Sequence, residues 1–232
     1  MTQTRNANQP RNAGYSRPLG ITGTVVHELI TPIQRGYLAV PDRPEAVAAL
    51  ARLRRGAGRP IEAVPDLWGL TGDPRLYPGG ALLDEDAEHG ELAAHIALTL
   101  YAVHQQSHRN DRMHVRDRPG TDLGGAVRRL MPGDEIDEAL RRRFVQAGTA
   151  PDITTLSQRL RELVTLLRRD AVPLDYARLA DQLHRAQQPG GLAEVRRAWG
   201  RGFHAYRPPA KKKDGQGDGD APDPGTATGS PL

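Results

Sequence analysis

Apolar residues recur along this chain at helical rather than strand spacing. The clearest stretch is 156–169, where Leu156, Leu160, Leu163, Val164 and Leu167 draw one stripe and the arginines lie off it. Asp152 stands where an N-cap is needed. The same reading predicts a helix from Thr22 to Leu38, through Val25, Val26, Leu29, Ile30 and Ile33, with a kink or restart at Pro32. It predicts a second from Pro44 to Arg54, capped by Asp42, with Val47, Leu50 and Leu53 inward, ended by Gly56 and Gly58. Residues 59–90 read as loop with a short helical piece near 61–70. A strong helix follows over 91–106, through Leu92, Ile96, Leu100 and Val103, and then a polar loop over 108–122. Leu123, Val127 and Leu130 make a short helix. Asp134 caps another, aligning Ile136, Leu140 and Phe144. After the break at Pro173, residues 175–187 carry Tyr176, Leu179 and Leu183, and a last helix aligns Leu192, Val195, Trp199, Phe203 and Tyr206. No segment alternates as a strand does, so the expected fold is all-α, a helical bundle, with room for two small helical subdomains.

The ends differ from the middle. Residues 1–17 are polar and rich in Asn, Gln, Thr and Arg; residues 207–232 are rich in Asp, Gly and Pro. Both are expected to be disordered. Between them the expectation is an N-terminal helical region over 18–118 and a C-terminal helical bundle over 119–206. No apolar run nears the ~20 residues that span a bilayer, and the N-terminus lacks an apolar signal core. A cytoplasmic protein without a membrane partner is expected.

Composition narrows the chemistry. The absence of cysteine removes disulfides, thiolate metal sites and thiol nucleophiles. His104 and His108 are four apart, but no HExxH occurs, and neither a metal nor another cofactor is expected. The acidic run Asp84–Asp86 with Glu88 reads as a surface loop or a helix N-terminal signal rather than a magnesium site. No Walker A or GxSxG motif is present, and no acid, base and nucleophile form a set. The chain is not expected to be an enzyme.

Charge points elsewhere. The formal net charge is only +4, so placement matters more than total. Arg52, Arg54, Arg55 and Arg59 surround the end of the second helix. Arg128 and Arg129 end a short one, and Arg141, Arg142 and Arg143 run consecutively beside Phe144. Three consecutive arginines sweep about 200° of a helix, so they cannot share one ligand. Arg161, Arg168 and Arg169 lie on the long helix, and Arg196, Arg197 and Arg201 on the last. Guanidinium matches phosphate because its planar fork donates two parallel hydrogen bonds. Aromatics are only 4%, and Tyr101, Trp68 and Trp199 read as core. The expected mode is therefore contact with a nucleic-acid backbone, sensitive to salt and blind to sequence. A scaffold whose arginines serve protein contacts only is the alternative.

Five strings, in this order, resemble one family. They are LARLRRGAG at 50–58, ALTLYAVHQQS at 97–107, LGGAVRRL at 123–130, PLDYARLADQL at 173–183 and VRRAWGRGF at 195–203. They are similar to the CasB family, the small subunit of the type I-E CRISPR surveillance complex, Cascade. The resemblance spans residues 20–206. It implies an all-helical, non-enzymatic subunit, present as a pair of copies, that touches the backbone and large subunits. It also implies binding to crRNA and to target and non-target DNA without sequence preference, stabilising the R-loop in antiviral defence. The arginines of the LARLRRGAG and LGGAVRRL strings fall at motif positions that are basic in relatives.

Overall fold

The computed structural model describes residues 18–77, 84–131, 133 and 135–206. The expectations for residues 1–17 and 207–232, and the cap at Asp134, lie outside them. Among the described residues the elements are α1 Ile21–Tyr37, α2 Pro44–Gly56, α3 Trp68–Thr71, α4 Glu85–Gln105, α5 Leu123–Arg129, α6 Glu138–Gly148, α7 Ile153–Arg169, α8 Tyr176–Gln187 and α9 Gly191–Ala205. Short 3₁₀ turns occupy Ile61–Ala63, Pro65–Leu67 and Pro74–Leu76. The described residues hold no β-strand. The fold is all-α.

α4 is the axis of the fold. α1, α2, α7 and α8 all pack on it. From Ala93 to Gln105 every one of its residues is buried, which leaves it no polar face. It begins at Glu85 rather than 91, because Asp84 accepts a hydrogen bond from the Asp86 amide and acidic residues fill the positive first turn. The acidic run is therefore a helix start.

α1 runs continuously through Pro32, without the expected restart. It has no local cap. Its first amides, Gly20 and Gly23, instead donate to the Asp181 carboxylate of α8 at 2.8 and 2.6 Å. A partner 158 or more residues away thus closes the helix end that local sequence leaves open. At α2, Arg43 occupies the N-cap and Pro44 the first helical position, so Asp42 caps nothing; it pairs with Arg109. Asp137 caps α6, and Ile136, expected inward, is 41% exposed. Asp152 does cap α7, accepting from the Thr155 amide at 2.7 Å.

The segment expected as a polar loop over 108–122 carries a buried centre. Met113 is fully buried and His114 nearly so. Met113 O accepts from Leu174 N at 3.0 Å, and Leu174 O from Val115 N at 3.3 Å. These bonds stitch the loop to the chain entering α8.

Candidate nucleic-acid interface

Helix ends place the arginines. α2 stops where Gly56 presses on Leu67: a Cβ there would lie 2.4 Å from Leu67 Cδ1. The chain then turns through Gly58 at φ +76°. Around this turn Arg52 donates to Asp66 O, Arg59 donates to Ala63 O at 2.9 Å, and Arg55 pairs with the Asp66 carboxylate at 3.4 Å. Arg161, reaching over from α7, donates to Ala57 O at 3.1 Å. Two turns further along α7, Arg168 donates to Gln106 O at 3.1 Å. Gln106 also lines a shallow pocket with Tyr37, Arg54 and Arg109. These contacts bring Arg52, Arg54, Arg55, Arg59, Arg161 and Arg168 together on one surface made by the ends of α2 and α4 and the outer side of α7.

Most of that group is anchored to carbonyls. Arg52, Arg59, Arg161 and Arg168 bond to backbone oxygen, and the Arg54 guanidinium has no hydrogen-bond or ion-pair partner among the described residues. A carbonyl fixes a guanidinium without cancelling its charge and leaves further N–H donors of the fork for a ligand. Only Arg55 meets a carboxylate in this set, and at 65% side-chain exposure that pair is weak.

Arg109 joins the surface although nothing in the sequence singled it out. Its guanidinium lies 4.1 Å from the centroid of the Tyr37 ring, and it pairs with Asp42. Its partners lie 67 or more positions away in the chain, beyond any local signal.

The remaining arginines sit on other elements. Arg169, at the α7 end, pairs with Asp170 at 3.1 Å. Arg141 pairs with Glu138 at 2.8 Å, one helical turn back. Arg142 and Arg143 are exposed on α6 with no side-chain partner among the described residues, and Arg129 is half-buried at the α5 end. Arg128 departs from the expected solvent-facing role. It is 6% exposed; its Nη2 donates to Gly133 O at 2.8 Å, and its Nη1 has no partner. α5 is covered nearly all round, so the second arginine of the motif, not the first, reaches solvent. On α9, Arg196 donates to Gly148 O, while Arg197 and Arg201 are exposed.

Three histidines, His95, His104 and His114, are buried. His104 hydrogen-bonds the Tyr176 hydroxyl at 2.8 Å, and His108 meets Arg168 O at 2.8 Å. No group of three metal-ligating side chains occurs among the described residues, and no helix of theirs is long and apolar enough to cross a membrane. Trp68 overturns its expected place in the core: it is 57% exposed, whereas Trp199 is 2% exposed.

The family profile of the CRISPR-associated protein Cse2 matches residues 49–204, well over half of the chain. The chain belongs to the Cse2 family. The crystal structure of CasB from Thermobifida fusca is similar at 57% identity and a TM-score of 0.70, covering 81% of this chain and 99% of that one. A chain of a CRISPR RNA-guided surveillance complex shares the fold, at 18% identity and a TM-score of 0.57, with 79% of this chain and 96% of that one covered. No curated protein matches the chain. The matched region takes in the α2 end, all of α4–α8 and nearly all of α9, so the arginine surface lies inside it.

Proposed function

We propose that this Cse2-family chain is a non-enzymatic subunit of a type I-E Cascade complex that binds nucleic-acid backbones without sequence preference and stabilises the R-loop between guide RNA and target DNA. Its partners on this reading are the backbone and large subunits, crRNA, the target and non-target strands, and a second copy of itself. The observation that carries the reading is the α2–α4–α7 surface, where Arg52, Arg59, Arg161 and Arg168 are held by carbonyls rather than by carboxylates. Base pairing selects sequence in such complexes, and protein supplies backbone contacts.

Binding then follows counterion release. An interface of six phosphate contacts on duplex DNA gives a log–log salt slope of about −5. The double variant Arg54→Glu/Arg142→Glu removes one uncompensated charge from the main surface and one from α6, neither with a partner to lose. Its expected slope is shallower by about two units, with weaker binding to single and double strands alike and an unchanged melting temperature. Fluorescence anisotropy at two salt concentrations measures this; a flat salt response of the parent protein would end the proposal. The exposed Ile136 and Val145 beside the α6 arginines favour a second reading, a scaffold that uses them for protein contacts. In that case neither the parent nor the double variant binds nucleic acid, and the double variant fails to assemble with its co-expressed partner subunits.

A further inference from the structure

Trp68 is the largest exposed aromatic side chain among the described residues, and its surroundings are built rather than loose. Leu67 just before it and Thr71 three residues after it turn inward. Leu67 is 1% exposed and packs against Gly56 at the α2 end, and Thr71, also 1% exposed, donates its hydroxyl to Leu67 O at 3.2 Å. Asp66, two residues before the indole, is gripped by Arg52 through its carbonyl and by Arg55 through its carboxylate. Gly69 adds no bulk beside the ring; even a Cβ there would meet nothing within 4 Å. The indole thus stands out at the start of α3, directly after a 3₁₀ turn whose Asp66 is held by Arg52 and Arg55 of the basic surface. Between positions 52 and 68 four arginines face two carboxylates, Glu62 and Asp66. An exposed indole two residues from a position held by Arg52 and Arg55 matches one occupant in shape and charge: an unpaired nucleotide, with base on ring and phosphate on arginine.

We infer that Trp68 is a stacking platform for a base of single-stranded nucleic acid whose phosphates run over Arg52, Arg54 and Arg55. The inference rests on the backbone-binding reading above and adds to it a preference for unpaired strand. A base inside a duplex offers no free face to the indole, so the platform acts only on single strands.

The full-length protein and a 20-nucleotide oligothymidylate test it. Stacking quenches indole emission, and Trp199, buried with its Nε1 donating to Gln182 at 2.7 Å, supplies an internal reference for folding. Titration with the oligonucleotide is expected to quench the exposed emission of the parent protein and not that of Trp68→Phe. Trp68→Ala is expected to lose about 5- to 150-fold in affinity for the fluorescein-labelled oligonucleotide, Trp68→Phe to lose less, and neither to change affinity for a 20-base-pair duplex. If the parent binds both ligands with a steep salt slope while Trp68→Ala binds the single strand equally well and no quenching occurs, the platform is wrong and backbone binding stands. If the parent binds neither in a salt-dependent way, the broader reading falls and the platform with it. If Trp68→Ala keeps its oligonucleotide affinity but no longer co-purifies with co-expressed Cascade subunits, the indole is a protein contact and the inference is overturned.

Discussion

Gly124→Ala is expected to destabilise the protein by about 3 kcal/mol or more. α5 and α9 meet through glycine. A Cβ on Gly124 would lie 1.9 Å from the carbonyl oxygen of Trp199 and 2.5 Å from the amide nitrogen of Phe203. Both obstacles are helix backbone, which cannot swing aside as a side chain can. The facing Gly202 is equally confined, since a Cβ there would lie 1.7 Å from Asp122 Oδ1. To admit one methyl group α9 must move outward by more than an ångström along the contact. That movement uncovers Trp199 and Phe203, now 2% and 4% exposed, and separates Phe203 from Phe144, whose rings stack with centroids 5.4 Å apart. The expected readouts are a lower urea midpoint and a red-shifted Trp199 emission. Gly200→Ala is the matched control on the same helix. A Cβ there meets nothing within 4 Å, so the better helix propensity of alanine is expected to stabilise by up to about 1 kcal/mol. Equal behaviour of the two variants would show that the α5–α9 approach is not close.

That contact also shows why part of the fold escapes a linear reading. α7 was legible because its inward residues are large and periodic: Leu156, Leu160, Leu163, Val164 and Leu167 are all at most 2% exposed. α4 and α5 pack on several sides through Ala and Gly, residues that mark close approach without drawing a stripe. Periodicity therefore located one face of α4 and missed its first six residues. The helix ends that gather arginine were visible in composition. Which guanidinium turns inward was not, because the burial of Arg128 depends on how α5 is enclosed. Trp68 reads as core by hydrophobicity, yet Leu67 and Thr71 take the inward places of that turn and leave the indole outside. Arg109 was invisible for another reason: its partners Tyr37 and Asp42 become neighbours only after α1 and α2 have docked against the end of α4.

Acid is expected to destabilise this protein well above the range where carboxylates titrate. Burial, with nearby His108 and Arg168, pushes the His104 imidazole down to about 3. Burial, with His27 and Arg116, does the same to His114, also to about 3. The hydrogen bonds agree for His114. Its Nδ1 accepts from the Tyr176 amide at 3.2 Å, so the ring proton sits on Nε2 and is donated to His27 Nδ1 at 3.0 Å. A second proton would set N–H against N–H at the start of α8. His104 has a buried Nε2 without a hydrogen-bond partner, so a proton added there sits away from water, and burial outweighs the backbone carbonyls nearby. In the unfolded chain both rings take up a proton near pH 6.5. The unfolded state therefore binds more protons than the folded one between about pH 6.5 and 3, and stability falls as pH drops through that window. At pH 5 each ring costs about 2 kcal/mol relative to pH 7.5, about 4 kcal/mol for the pair, provided the folded values stay below about 4. That is a large share of the ~5–15 kcal/mol that holds a typical domain together. His95, also lowered by burial, works in the same direction. Asp175 and Asp181, raised by burial, work in the opposite one: the folded state holds their protons more tightly, which offsets part of the loss at the acid end. Urea midpoints at pH 7.5 and 5.0 are expected to differ accordingly, and His104→Gln and His114→Gln each to flatten the dependence even though both lower the midpoint at pH 7.5. A midpoint that does not move between these pH values would mean that the two imidazoles reach water, and that the seam joining the 108–122 segment to α8 is open.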